Sequence, residues 1–334
     1  MVLPLVPLLI GVGAAAAGAY GVKKGSDAKA GFDTAKRIFR QAENKLDEAD
    51  ETLEEMRVKT NERLTILGAT RIAVVEQCYI PFKKALEGIK NIEISQMPKL
   101  KGIDLENRLL ELDRLSVSLP EIVSGVGAAG ASGALTALAA YGGTQMLAAA
   151  STGTAISTLS GAAATNATLA WLGGGSLAAG GFGMAGGMVV LGGVVAGPIL
   201  AVGGAMLAAS AETAVDDAKR NLAKAHAIYN EKMIAAKTTR AIGNAAHAIA
   251  GLIEQLSEVA DELIAHLEEI RKQKDDYQTF TQAEKAILAN AFLCMGGISV
   301  LVKSPLIKEN GALDVAIRDV RDQAKDLVDH LNSI

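Results

Sequence analysis

Charged side chains are absent from a long stretch in the middle of this sequence. Between Glu121 and Glu212 the chain contains no Asp, Glu, Lys, Arg or His, and this stretch holds 21 of the 35 glycines. A soluble domain rarely hides such a run, because surface loops need charged or strongly polar residues. About 20 apolar residues span a bilayer, so residues 122–211 have the length for up to four crossings. The missing charge predicts a membrane-active helical protein.

Aromatic residues and segregated charge are also scarce. Only 4% of the residues are aromatic, and the surplus of small apolar residues is Ala and Gly rather than the Leu, Ile, Val and Phe of an ordinary globular core. Residues 22–121 carry 18 basic and 18 acidic side chains, and residues 212–334 carry 15 and 19. No basic face stands out in this mixture, so we do not expect nucleic acid to be a partner.

Motifs of catalysis and of cofactor binding are missing. The chain has no GxxxxGK[ST] and no HExxH, and its two GxGxxG matches lie in the glycine-rich centre, outside any βαβ unit. Cys78 and Cys294 are isolated, as reduced helical cysteines of an intracellular protein would be. His266 is expected to be a packed core histidine, with a pH-responsive role as the alternative. We therefore predict no enzyme, no cofactor, no metal site and no small-molecule substrate.

The amino-terminal segment, residues 1–22, is uncharged and apolar, and Lys23 and Lys24 follow it directly. A secretory signal would carry its positive charge before the apolar run. The positive-inside rule instead places both lysines at the cytoplasmic membrane interface. A retained membrane helix is expected, and a cleaved or peripheral leader is the alternative.

Two charged arms, residues 23–121 and 212–334, flank the centre. Their apolar residues recur in steps of three and four, which is typical of coiled coils. In the first arm they are Phe32, Ala35, Phe39, Ala42, Leu46, Ala49, Leu53 and Met56, and in the second Ile242, Ala245, Ile249, Leu252, Leu256, Val259, Leu263 and Ile270. The pattern predicts an all-α protein, an elongated antiparallel bundle in which residues 27–79 pack against residues 212–270.

Local signals predict several helix boundaries in the arms. A helix break is expected before Pro81, and Pro120 is expected to separate the first arm from the centre. Thr281 and Glu284 have the spacing of a capping box, which predicts that a helix starts there.

Small residues recur at four-residue spacing in the centre: Gly183 and Gly187 on one face, and Gly193 and Gly197 on another. This pattern lets membrane helices approach backbone to backbone. Trp171 is placed at a membrane interface. Gly and Ala offer little apolar area, so these segments enter lipid less strongly than Leu-rich spans would. The arms could therefore shelter them in a soluble form before insertion.

The block GTAISTLSGAAATNATLAWLGGGSLAAGG, residues 153–181, resembles the Gly/Ala-rich segments of the small interferon-inducible membrane proteins and of bacterial proteins whose helical arms flank such a block. The whole architecture is similar to the α-helical pore-forming toxins of the cytolysin A and haemolysin BL type. That resemblance implies a soluble form, oligomerisation and membrane insertion. The insert here is longer and richer in glycine, and the amino terminus lacks a clear export signal.

These observations favour a membrane-inserting, oligomerising protein that permeabilises membranes through residues 122–211. The alternative is a constitutive membrane-anchored scaffold whose arms bind partner proteins. Either function predicts a lipid membrane as partner, homo-oligomers, and arms on the cytoplasmic side.

Overall fold

The structure is a computed structural model that describes residues 22–94, 97, 100, 103–129, 138–139, 211–308 and 313–333. The helices are α1 (Val22–Val74), α2 (Ile80–Leu86), α3 (Leu105–Ala129), α4 (Ala211–Gln273), α5 (Gln282–Lys303) and α6 (Ala316–Leu331). A π-helical turn, Val75–Tyr79, joins α1 to α2, and a 3₁₀ turn, Tyr277–Thr279, precedes α5. Within the described ranges, β structure is limited to isolated bridges. The all-α prediction is confirmed.

The helix boundaries follow the local signals at two of the three predicted sites. The capping box at α5 is confirmed, since the Glu284 amide donates to Thr281 Oγ1 at 3.3 Å and the Thr281 amide donates to Glu284 Oε2 at 2.6 Å. Before Pro81 the α-helical geometry of α1 is interrupted by the π-helical turn Val75–Tyr79, and it resumes at Ile80, so that Pro81 occupies the first turn of α2. The break expected at Pro120 is wrong, because α3 continues through it to Ala129.

The described chain forms two compact units. The first contains residues 22–55 of α1 and 211–236 of α4, and its small core is made of Ala35, Ala214 and Ala218. Small side chains let the two helical backbones come close, as they do in tightly packed helix pairs. A Cβ placed on Gly31 would lie only 2.8 Å from the Cβ of Ala211.

The second unit contains the remaining described residues and a larger apolar core. Helix α5 supplies many of the core side chains, and its Phe292 ring meets the Phe82 ring edge to face at 5.4 Å. By length and composition α5 could cross a membrane, but 67% of its most apolar stretch is buried within the protein. Core helices of soluble proteins can have the same length and apolar composition.

The two long helices pair in the same direction within each unit. In the first unit Tyr229 contacts Glu48, and Lys232 forms an ion pair with Asp50, at sequence separations of 181 and 182. In the second unit Thr60 bonds to Thr239 and Arg63 to Asn244, at separations of 179 and 181. Because the separation is nearly constant, residue numbers increase in the same direction along both helices, and the two helices are parallel within each unit. The choice of partner arms is confirmed, but the antiparallel orientation is wrong.

The residues predicted to form the apolar face of each long helix are buried in part. Ala35, Leu53 and Leu256 are buried as expected. Phe32, however, is 48% exposed, and His266 is exposed rather than packed in the core.

Candidate functional site

The site residues predicted from the centre lie outside the described residues: Trp171, Gly183, Gly187, Gly193 and Gly197. Lys23 and Lys24 lie in the first turns of α1, and their side chains are outside the described part. The packing and interface roles of all seven residues stay predictions.

The most unusual group in the described chain is the guanidinium of Arg71 in α1. Its side chain is fully buried, and it is the largest fully buried side chain among the described residues. Arginine is almost never fully buried unless it is paired, because removing its charge from water costs free energy. The contacts of Arg71 therefore determine how this buried charge is stabilised.

Four backbone carbonyl groups accept hydrogen bonds from Arg71. Its Nη1 donates to Leu138 at 2.6 Å and to Ala139 at 2.9 Å. Its Nη2 donates to Leu301 at 3.0 Å and to Ser304 at 2.7 Å, at the end of α5. The planar guanidinium is suited to this role, since it presents several N–H groups in a fixed fork.

Among the described residues, carbonyl dipoles and no carboxylate balance the charge of Arg71. No ion pair joins Arg71 to an Asp or Glu of the described chain, and its Nε has no hydrogen-bond partner there. Burial lowers the pKa of Arg71 to about 9, so the group remains a cation at neutral pH. A buried cation held only by neutral acceptors gains less than one paired with an anion.

Arg71 connects the uncharged centre to the folded arms. Leu138 and Ala139 belong to the stretch 122–211, and both are fully buried in the core of the second unit. One cation therefore holds two peptide groups of the centre and the last turn of α5 together. Release of residues 138–139 would remove two of its four acceptors.

The sequence carries a signal for Arg71, although Arg71 is not among the site residues predicted above. Arg71 is the single charge between Arg63 and Glu76, in the otherwise uncharged run LTILGATRIAVV. A lone charge within an apolar helical run indicates a buried group with dedicated partners. The identity of those partners is a matter of tertiary structure.

A second buried polar cluster surrounds Cys78 in the π-helical turn. Its Sγ lies 3.0 Å from Ser257 Oγ and 3.7 Å from Asp261 Oδ1, and burial raises its pKa to about 11. Burial also raises the pKa of Cys294, whose thiol donates to the Leu256 carbonyl at 3.2 Å. Both thiols are protonated at neutral pH, so neither is an activated nucleophile. Within the described ranges, no three His, Cys, Asp or Glu side chains are grouped to hold a metal ion.

No family model, no curated protein and no solved structure matches this chain. The resemblances given above therefore rest on sequence pattern alone.

Proposed function

We propose that this protein inserts conditionally into membranes. In its stored form the folded arms bury part of the uncharged segment 122–211. In its inserted form this segment crosses a bilayer, packs against copies of itself and permeabilises the membrane.

The burial of Leu138 and Ala139 is the observation that carries the proposal. Both residues belong to a segment with the composition of membrane helices, yet they lie in the same core as apolar side chains of the charged arms. A segment that stayed permanently in lipid would have little reason to share a core with the arms. A stored form needs such a shared core.

The Arg71 contacts support two conformations of similar free energy. The four hydrogen bonds stabilise the stored form, since bonds to charged groups contribute about 1.5–3 kcal/mol each. The desolvation of the cation opposes them, because no carboxylate of the described chain offsets it. Departure of residues 138–139 would let water reach the guanidinium and recover part of that cost.

The composition of the segment fits the same behaviour. Transfer into lipid scales with apolar area at roughly 25 cal/mol per Å², and Gly and Ala contribute little area. A weak preference for lipid can be overcome by a folded core, whereas Leu-rich spans would enter lipid irreversibly. Glycine faces then supply the close helix packing that a pore needs.

The direct experiment purifies the protein without detergent and mixes it with lipid vesicles. Flotation measures binding, and dye release measures permeabilisation. Gly187→Leu should keep or raise flotation but abolish dye release, because the larger side chain prevents close packing. Val194→Asp should weaken flotation itself, by about 2.5–3.5 kcal/mol for a charge at the centre of a span.

Val189→Leu is the matched control, since it adds apolar volume in the same segment without filling a glycine position. It should float and release dye like the wild type. A wild-type protein that floats but releases no dye under any lipid, pH or redox condition would overturn the permeabilising function and favour the membrane-anchored scaffold. Recovery of the wild type in membranes only would contradict the stored soluble form.

A further inference from the structure

In the first unit, the parallel pairing of α1 and α4 brings together the starts of the two described helical segments. A Cβ on Gly31 would lie 2.8 Å from that of Ala211, and Ala35 is buried against Ala214 and Ala218. Ala211 is the last residue of the uncharged segment. Gly31 lies nine residues beyond Val22, about 14 Å along a helix. Both apolar segments of the sequence therefore join this unit at the same end.

Although basic and acidic side chains balance over residues 22–121 as a whole, α1 carries a basic face at this end. Three cations and one aromatic ring lie at helical spacing on one side of α1, with a fourth cation beside them, and we call this set the basic face: Lys29, Phe32, Lys36, Arg37 and Arg40. All five side chains are exposed, and Phe32 is 48% exposed. Asp33 is the single acidic residue within the same turns.

The four cations of the basic face make no ion pair with another described residue. Further along the same pair of helices, Lys232 is paired with Asp50. The charge also changes along α1: residues 22–40 carry six basic and two acidic side chains, whereas residues 41–55 carry one and seven. Positive charge without partners is thus concentrated where the apolar segments join the unit.

We propose that the basic face binds the phosphate-bearing headgroups of an anionic lipid surface. The inference rests on the proposed membrane insertion and names the lipid class that it requires. Unpaired Lys and Arg are attracted to anionic leaflets, and an exposed aromatic ring among them enters the boundary between headgroups and acyl chains. Docking by this face brings both apolar segments to the bilayer from the same side.

The test compares binding of the full chain to neutral phosphatidylcholine vesicles and to vesicles that also contain phosphatidylserine. The triple variant Lys29→Gln, Lys36→Gln, Arg40→Gln should lose about tenfold or more in partition onto the anionic vesicles, and little on the neutral ones. Added salt should weaken wild-type binding and have a smaller effect on the variant. Phe32→Ser should reduce binding to both kinds of vesicle.

The matched control is Lys84→Gln, Lys272→Gln, Lys325→Gln, which removes the same charge from exposed positions of the second unit. It should bind anionic vesicles within about twofold of the wild type. Equal losses of binding to anionic vesicles in the two triple variants, or no loss in the first, would contradict lipid binding by the basic face. Competition by soluble glycerol phosphate at low concentration would mean a site for free phosphate instead of a lipid surface.

The two proposals fail in different ways. Dye release by the wild type, with unchanged binding of the basic-face variant, would overturn only the lipid-binding face. A wild type that binds neither kind of vesicle would overturn both. Thermal unfolding of each variant confirms folding, and since all the replaced side chains are exposed, the Tm should stay close to that of the wild type.

Discussion

The guanidinium of Arg71 donates a hydrogen bond of 2.6 Å to the carbonyl oxygen of Leu138, 67 residues further along the chain. Both residues are fully buried. The contact joins the charged first arm to the uncharged centre. The centre contributes a backbone carbonyl group to this contact and no side chain. Substitution of Leu138 would therefore leave the acceptor in place, whereas substitution of Arg71 removes the donor.

Replacement of Arg71 by Lys should destabilise the second unit by about 3 kcal/mol. An ammonium group keeps the charge, but its single nitrogen cannot reach the carbonyls of residues 138–139 and of α5 together, and hydrogen bonds to charged groups contribute about 1.5–3 kcal/mol each. Urea unfolding measures the loss. Amide hydrogen exchange around Ala139 should also become faster than in the wild type.

Arg63→Lys is the control for this change, because Arg63 is partly exposed on the same helix and bonds to Asn244 at 2.6 Å. It should cost about 1 kcal/mol or less. Equal losses at positions 63 and 71 would mean that the carbonyl contacts of Arg71 contribute little to stability.

Replacement of two glycines of α4 by alanine should change the free energy of unfolding in opposite directions. A Cβ on Gly243 would lie 2.7 Å from Thr60 Oγ1 and 3.2 Å from Thr60 Cα, whereas a Cβ on Gly251 would meet nothing within 4 Å. Gly243→Ala should therefore cost about 1–3 kcal/mol by overpacking. Gly251→Ala should stabilise by up to about 1 kcal/mol, because alanine favours the helix. Thermal unfolding of both variants checks this, and stabilisation by Gly243→Ala would mean that the two helices are not closely packed at Thr60.

The buried thiol of Cys294 should make stability fall at alkaline pH. Its pKa is raised above the ordinary value of 9.0 by burial, with smaller contributions from Cys78 and Asp261. Above pH 9 the unfolded chain loses this proton while the folded chain keeps it. The stabilising contribution is thus complete below pH 9 and decreases by about 1.4 kcal/mol for each pH unit above it.

Comparison of the wild type with Cys294→Ala isolates this effect, since the other titrating groups are common to both proteins. The free energy of unfolding of the variant should fall less steeply with pH between pH 9 and about 10.5. Parallel pH profiles for the two proteins would show that the thiol titrates equally in the folded and unfolded states.

The helices themselves were predictable from sequence, because they depend on local signals. Periodic apolar residues located both arms, and the spacing of Thr281 and Glu284 located the start of α5. The face that α4 buries was predicted less well. The buried face takes two successive steps of four, from Leu256 to Ala260 to Ile264, whereas a strict seven-residue repeat alternates steps of four and three and placed His266 in the core.

The direction of the helix pair and the partners of Arg71 were not predictable in the same way. An apolar stripe specifies which side of a helix is buried, but the same stripe can face a parallel or an antiparallel neighbour. The contacts of Arg71 are to backbone carbonyls, and every residue has one. Nothing in the side chains of Leu138 or Ala139 marks them as acceptors.

The end of α5 gives Arg71 a consequence for how the core could open. The carbonyl end of a helix carries about half a negative charge from its aligned peptide dipoles, and Leu301 and Ser304 present their carbonyls to Arg71 at this end. That attraction would remain if residues 138–139 withdrew, because Arg71 and α5 both belong to the second unit. Arg71 would stay bonded to the carbonyl groups at the end of α5. Only the uncharged segment would then leave the core, while the arms would keep this interaction and could bind the segment again.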